Sequence, residues 1–213
     1  RLVYPMYYPA FEAFRDLCRD YQGYDKVNLS CASGTGVKTL ELLHQDLCDL
    51  VVTIDTKGHY ADFNRYCNLF HLEYRDVAEA SFSVQLSRNH PLLRETPFDF
   101  AKLKNYPYVA YTDGNGGNLN WTPWSSVVNP DKLIRVQSIA SRISLVANTN
   151  AFSLVFPHSR AYNEANGVVT VPLPFDPLIL GYIYSRDRGL GEAGEAYVRH
   201  LKERIREHFG EDG

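Results

Sequence analysis

At four places in the sequence a β-rich run gives way to helical periodicity, three of them carrying glycines, amides or small hydroxyls. They are Pro5-Met6-Tyr7, Ser33-Gly34-Thr35-Gly36, Thr112-Asp113-Gly114-Asn115 and Gln137-Ser138-Ile139. In an open α/β sheet, strands that run straight into helices bring their carboxyl ends to one edge. Unbonded N–H groups and the positive ends of helix dipoles gather at that edge, which suits an anion. Ser33, Thr35 and Ser138 carry hydroxyls that either cap the following helix or bond a ligand carboxylate. Tyr7, Tyr8 and Tyr111 flank the same junctions, and Trp121 and Trp124 follow the Asn/Gly turn. Each of these rings is either core or a face on which a flat ligand stacks. This is chemistry for holding a small molecule.

Motifs for turning one over fall short. Ser33-Gly34-Thr35-Gly36-Val37-Lys38-Thr39 looks like a phosphate-binding loop, but Val37 separates Gly36 from Lys38 and breaks the G-K-[ST] spacing. There is no G-x-S-x-G elbow for a nucleophilic serine. The 7 histidines form no H-E-x-x-H and no H-x-H pair. Cys67 and His71 could supply two metal ligands, but no second pair accompanies them, so neither a metal nor a cofactor is expected. His90 reads as a turn residue rather than a base, and Asp113 as a helix cap.

The elements that must position these junctions alternate. Leu2-Val3-Tyr4 is a strand. Phe11, Phe14, Leu17, Cys18 and Tyr21 share one helical face. Val27 to Cys31 alternates as a strand; Val37, Leu40, Leu43 and Leu47 define a helix; Leu50 to Ile54 is continuously apolar, as suits a parallel strand covered on both faces. Strands follow at Phe82–Leu86, Tyr108–Tyr111, Arg135–Gln137, Ser153–Phe156 and Ile179–Tyr184. A short helix runs into Val127, another spans Ile139–Ala147, and a last one carries Leu190, Ala193, Tyr197, Leu201, Ile205 and Phe209 on one stripe. The fold class is therefore α/β. Breaks at Asn89-His90-Pro91 and across Pro172, Pro174 and Pro177 divide the chain into residues 1–88 with 174–213, and residues 89–173, the second lobe inserted in the first.

The 213 residues carry 22 Lys+Arg against 25 Asp+Glu, a formal charge of −3, which argues against binding nucleic acid through bulk positive charge. At 45% hydrophobic and 22% charged, the composition is that of a globular chain. No run reaches the ~18 apolar residues that span a bilayer. The opening Arg1-Leu2-Val3-Tyr4-Pro5 lacks the regions of a signal peptide. The four cysteines form no C-x-x-C pair and read as free thiols, Cys18 and Cys48 at apolar positions, so a cytoplasmic setting with no membrane contact is expected.

In order and spacing, three segments resemble the effector-binding domain of LysR-type transcriptional regulators. Asp46-Leu47-Cys48-Asp49-Leu50 stands where that family has G-x-x-D-L, His90-Pro91-Leu92 matches its H-P-L, and Val155-Phe156-Pro157-His158-Ser159 matches its L-L-P-x-S. The resemblance covers about residues 1–209. It departs at Asp46, where a glycine is usual, and at Asn150 and Phe152, which replace the glycines of a G-x-G turn. The resemblance implies a two-lobed type-2 periplasmic-binding-protein-like fold with two crossovers and no catalysis. It implies a small, anionic effector between the lobes, on Pro5, Met6, Tyr7, Ser33, Gly34, Thr35, Thr112, Asn115, Ser138 and Phe156. It also implies a homodimer, a tetramer at full length, and DNA contact only through a winged helix-turn-helix outside these residues. Family members that switch by a disulfide use second-lobe cysteines, and residues 89–173 contain none. A free-standing solute-binding protein of a transporter is the alternative on the same fold. A dehydratase- or deaminase-like enzyme would need a catalytic Thr, Asp or cofactor Cys in a recognisable setting.

Overall fold

The computed structural model describes residues 1–56, 60–112 and 126–209, with 60–62 given by backbone alone. In chain order the elements are β1 (Leu2–Tyr4), α1 (Tyr8–Asp20), β2 (Cys31–Ser33), α2 (Val37–His44), β3 (Leu50–Thr56), α3 (Tyr60–Leu69), β4 (Leu72–Ala80) and β5 (Ser83–Ser87). They continue with β6 (Tyr108–Tyr111), β7 (Leu133–Val136), α4 (Ile139–Asn148), β8 (Ser153–Val155), α5 (Arg160–Ala165), β9 (Val168–Pro172), β10 (Leu178–Ser185) and α6 (Gly191–Phe209). They form two compact units. Unit 1 is Arg1–Ser81 with Phe175–Gly213, and unit 2, Phe82–Pro174, is inserted in it.

Unit 1 holds a five-stranded sheet in the order β2-β1-β3-β10-β4. β1 is parallel to β2 and β3, while β10 is antiparallel to β3 and β4. The run Leu50-Val51-Val52 is buried, as a strand covered on both faces requires. Val3, Leu40, Leu43, Cys48, Val51, Cys67, Leu72 and Ile183 form one apolar cluster. Elsewhere in the unit α1 packs on α6, with Tyr197 Oη donating to the Ala10 carbonyl at 3.0 Å. Three hydrogen-bonded rungs cross at helical spacing: Glu12–His208 at 2.9 Å, Asp16–Arg204 at 2.6 Å and Asp20–His200 at 2.6 Å. Asp46 just past α2 has φ 58°, and Leu47 N donates back to Leu42 O at 2.9 Å. A left-handed residue closes the helix there, which explains why an aspartate can stand where glycine is usual.

Unit 2 holds the sheet β8-β5-β9 and the parallel pair β6-β7. Val109 N donates to Phe152 O at 2.7 Å and Phe152 N to Pro107 O at 2.9 Å, setting β6 beside the start of β8. The strands thus follow one another as β7-β6-β8-β5-β9. β5 is antiparallel to both neighbours. Phe152 is fully buried and packs on Tyr108 with ring centroids 5.3 Å apart, so the bulk it adds fills core.

Three expectations need correction. The chain divides before β5 rather than after it, because β5 hydrogen-bonds β8 and β9 and the His90-Pro91 break only ends that strand. β2 lies at Cys31–Ser33, displaced from the expected 27–31, and Val27 is exposed. Sequence periodicity also passed over α3, β4, α5 and β9. β4 is a sheet edge carrying Glu73, Arg75, Asp76 and Glu79, and charges of that kind on an edge strand blur the strand pattern. The expected turn at 113–117, the short helix beyond it up to residue 125, Trp121 and Trp124 lie outside the described residues; 126–127 form a turn.

Candidate functional site

In unit 1, Tyr4 is the register partner of Ser33, and Gly34 N donates to Tyr4 O at 3.0 Å. The carboxyl ends of β1 and β2, and with them both helix-entry loops, therefore meet at one sheet edge. A side chain at Gly34 would have its Cβ 2.9 Å from Val3 Cγ1 and 3.2 Å from Thr39 Cγ2, so the loop lies tight on β1. Gly36, at φ 74°, is the N-cap of α2, and no side chain caps that helix. Thr39 Oγ1 instead donates to Gly36 O at 2.7 Å. Ser33 and Thr35 are exposed, and neither hydroxyl has a hydrogen-bond partner among the described residues.

The β1–α1 junction behaves differently. Pro5 is buried, and Tyr7 N donates to Pro5 O at 2.6 Å. The Tyr7 ring is only 2% exposed, and burial with the nearby Glu12 carboxylate pushes its phenol well above its ordinary value. Tyr7 is core, not a face for stacking. Met6 and Tyr8 are half-buried, and Tyr8 tilts on Phe11 at 6.4 Å.

In unit 2, Thr112 N donates to Val136 O at 2.9 Å, which brings the ends of β6 and β7 together. Ser138 Oγ accepts from Ser141 N at 3.0 Å and donates to Ser141 Oγ at 2.8 Å, so this hydroxyl caps α4. Phe156, at the end of β8, is buried edge-to-face against Phe82 at 6.4 Å, and its carbonyl accepts from His158 Nδ1 at 2.7 Å. Tyr111 is half-buried, and Asn115 lies outside the described residues. His90 accepts from Leu92 N through Nδ1 at 3.2 Å and donates from Nε2 to Asn150 O at 3.1 Å. Burial lowers its basicity, partly offset by the Asn150 carbonyl, as suits a neutral turn residue.

Sequence reasoning passed over the buried polar groups of unit 2: Ser83, Gln85, Ser87, Arg142, Ser153, His158 and Asn163. Their signal was Gln85 inside the apolar run Phe82–Leu86, and Arg142 one helical turn before the buried Val146. All four cysteines are free. Burial pushes the Cys48 and Cys67 thiols up to about 11, whereas Cys18 and Cys31 are only half-buried. Among the described residues no group of three or more His, Cys, Asp or Glu gathers to hold a metal, and no helix is long and apolar enough to cross a membrane.

The family model "LysR substrate binding domain" matches residues 8–206. No curated protein matches the chain. The effector binding domain of QuiR in complex with shikimate is similar at 15% identity and TM-score 0.61, over 98% of this chain and 97% of that one. The regulatory domain of MetR, a LysR family regulator from N. meningitidis, is similar at 14% identity and TM-score 0.64, over 98% and 94%. An OxyR2 regulatory domain from Vibrio vulnificus is similar at 14% identity and TM-score 0.61, over 95% and 92%. At such identities the likeness is one of fold.

Proposed function

The chain belongs to the LysR substrate binding domain family, and from that premise we propose that it senses a small acid, holding it without transforming it. Ser33 and Thr35 carry this reading: two exposed hydroxyls, unbonded among the described residues, stand where the ends of β1 and β2 converge. Gly36 leaves the first N–H groups of α2 without a side-chain cap, so hydroxyl and amide donors face the same ligand oxygens. Ser138 supports α4 rather than the ligand, and Tyr7 and Phe156 support the loops from the core.

In the whole protein, an acid that favours one arrangement of this domain shifts the population toward it. That shift is the signal passed to a winged helix-turn-helix, which alone contacts DNA. The formal charge of −3 fits a domain that leaves DNA contact to another. The domain pairs with a second copy of itself, full-length chains form tetramers, and the regulator works in the cytoplasm.

Calorimetric titration of a panel of small mono- and dicarboxylates tests the reading. Wild type binds at least one of them, and Ser33→Ala/Thr35→Val weakens it about tenfold, roughly 1.4 kcal/mol, with no loss of thermal stability. Unchanged affinity in the variant removes these hydroxyls from the site.

A further inference from the structure

Unit 2 buries a row of polar side chains that its sheet does not require. Gln85 on β5 is the register partner of Ser153 on β8 and of Thr170 on β9, so the three stand side by side on one face. Gln85 and Ser153 are both 0% exposed. Two residues along the same face, Ser87 Oγ donates to Ala147 O of α4 at 3.0 Å, so this is the face that α4 covers. α5 adds Asn163, whose Nδ2 donates to Thr170 Oγ1 at 3.2 Å and to His158 O at 3.4 Å. α4 adds the buried Arg142. The His158 ring stacks on Tyr162 at 4.6 Å beside it.

Two amide atoms in this seam have no hydrogen-bond partner among the described residues: Gln85 Nε2 and Asn163 Oδ1. Gln85 Oε1 accepts from Ser153 Oγ at 3.4 Å, and Asn163 Nδ2 is engaged as above, so both amides are oriented by their other ends. A core that needed only to pack would carry Met and Leu here, because buried polar atoms left unmet are costly. The seam thus presents an N–H donor and a carbonyl acceptor across the register pair Gln85–Thr170. Arg142 brings a cation into the same helix layer. Desolvation lowers the ordinary value of its guanidinium, with Tyr162 and Tyr108 acting in the other direction.

We infer that this seam is a second ligand-binding element, built for a small hydroxycarboxylate. Gln85 Nε2 and Arg142 receive the carboxylate, and the ligand hydroxyl donates to Asn163 Oδ1. It lies within unit 2 and does not depend on the β2–α2 loop of unit 1.

Calorimetry with glycolate and with propionate, which is similar in size but lacks the hydroxyl, tests the assignment. Wild type is expected to bind glycolate at least tenfold more tightly than propionate. Gln85→Met/Asn163→Leu, verified as folded by its cooperative melt, is expected to abolish that preference and weaken glycolate at least tenfold. Ser33→Ala/Thr35→Val keeps the preference. If Gln85→Met/Asn163→Leu does not fold, Gln85→Met alone reads the same ratio. Equal binding of the two acids by wild type overturns the assignment. So does a preference that survives in the seam variant or is lost only in the unit 1 variant. A glycolate-soaked crystal with ordered water alone in the seam also overturns it.

Discussion

Unit 1 and unit 2 run their strands in the same order and sense, β2-β1-β3-β10-β4 against β7-β6-β8-β5-β9, with the fourth strand of each reversed. What they bury is chemically opposed. Among the described residues, the buried polar side chains of unit 1 are Asp16 and Thr39, whereas unit 2 buries Ser83, Gln85, Ser87, His90, Arg142, Ser153, His158 and Asn163. Unit 1 keeps its open hydroxyls outside, on the β2–α2 loop, over an apolar core. Unit 2 closes its helix-entry hydroxyl into a cap and carries its polar groups inside. One strand plan is thus compatible with two ways of placing polar side chains.

The largest effect that would sharpen this contrast comes from the cores. Leu40 is fully buried in the unit 1 cluster, so Leu40→Ala should cost about 2–5 kcal/mol in denaturant unfolding. Gln85→Met, equally buried in unit 2, should cost less, since the unmet Nε2 donor it removes offsets the Ser153 hydrogen bond it breaks. Comparable losses for both would show that the two cores are held in the same way.

A smaller effect separates the edge hydroxyls. Ser138→Ala removes the α4 cap and should cost about 1 kcal/mol. Ser33→Ala removes no hydrogen bond within the described residues and should leave the melting temperature unchanged. A loss at Ser33 equal to that at Ser138 would make both plain structural residues.

The fold was legible where periodicity reports burial. Leu50 to Ile54, Tyr108 to Tyr111 and the stripe of α6 were readable because one face or both had to be apolar. β4 and β9 were not, since an edge strand carries charges and Pro172 at a strand end looks like a linker. The junctions were legible as strand-to-helix switches, but not the fate of each side chain. Whether a serine caps or stays open depends on where the helix starts: Gly36 takes the N-cap of α2 and frees Ser33 and Thr35, while Ser138 is itself the N-cap of α4. Tyr7 and Phe156 looked available to a ligand because sequence cannot say which side of a strand end faces the core. The seam escaped notice because its members, from Gln85 to Thr170, come together only through strand register.

Acid gives the finest separation of the two units. His90 in unit 2 is held neutral by burial, with a folded value below its ordinary 6.5. Its contribution to stability is therefore complete above pH 6.5, because only the unfolded chain takes up the proton below that point. It is lost as pH falls from there through the lowered folded value. Asp16 in unit 1 behaves otherwise. Burial would raise it, but the Arg204 hydrogen bond and the charges of Arg204, Arg15 and Arg19 hold it below its ordinary 3.8. Its contribution persists down to that value and fades only as pH drops through the folded one. As pH falls below 6.5, then, hydrogen exchange corrected for intrinsic rates should show β5 and β8 losing protection with a slope that His90 sets. His90→Gln should flatten that dependence in unit 2. A slope that survives the substitution would assign the acid sensitivity to another group and remove this distinction between the units.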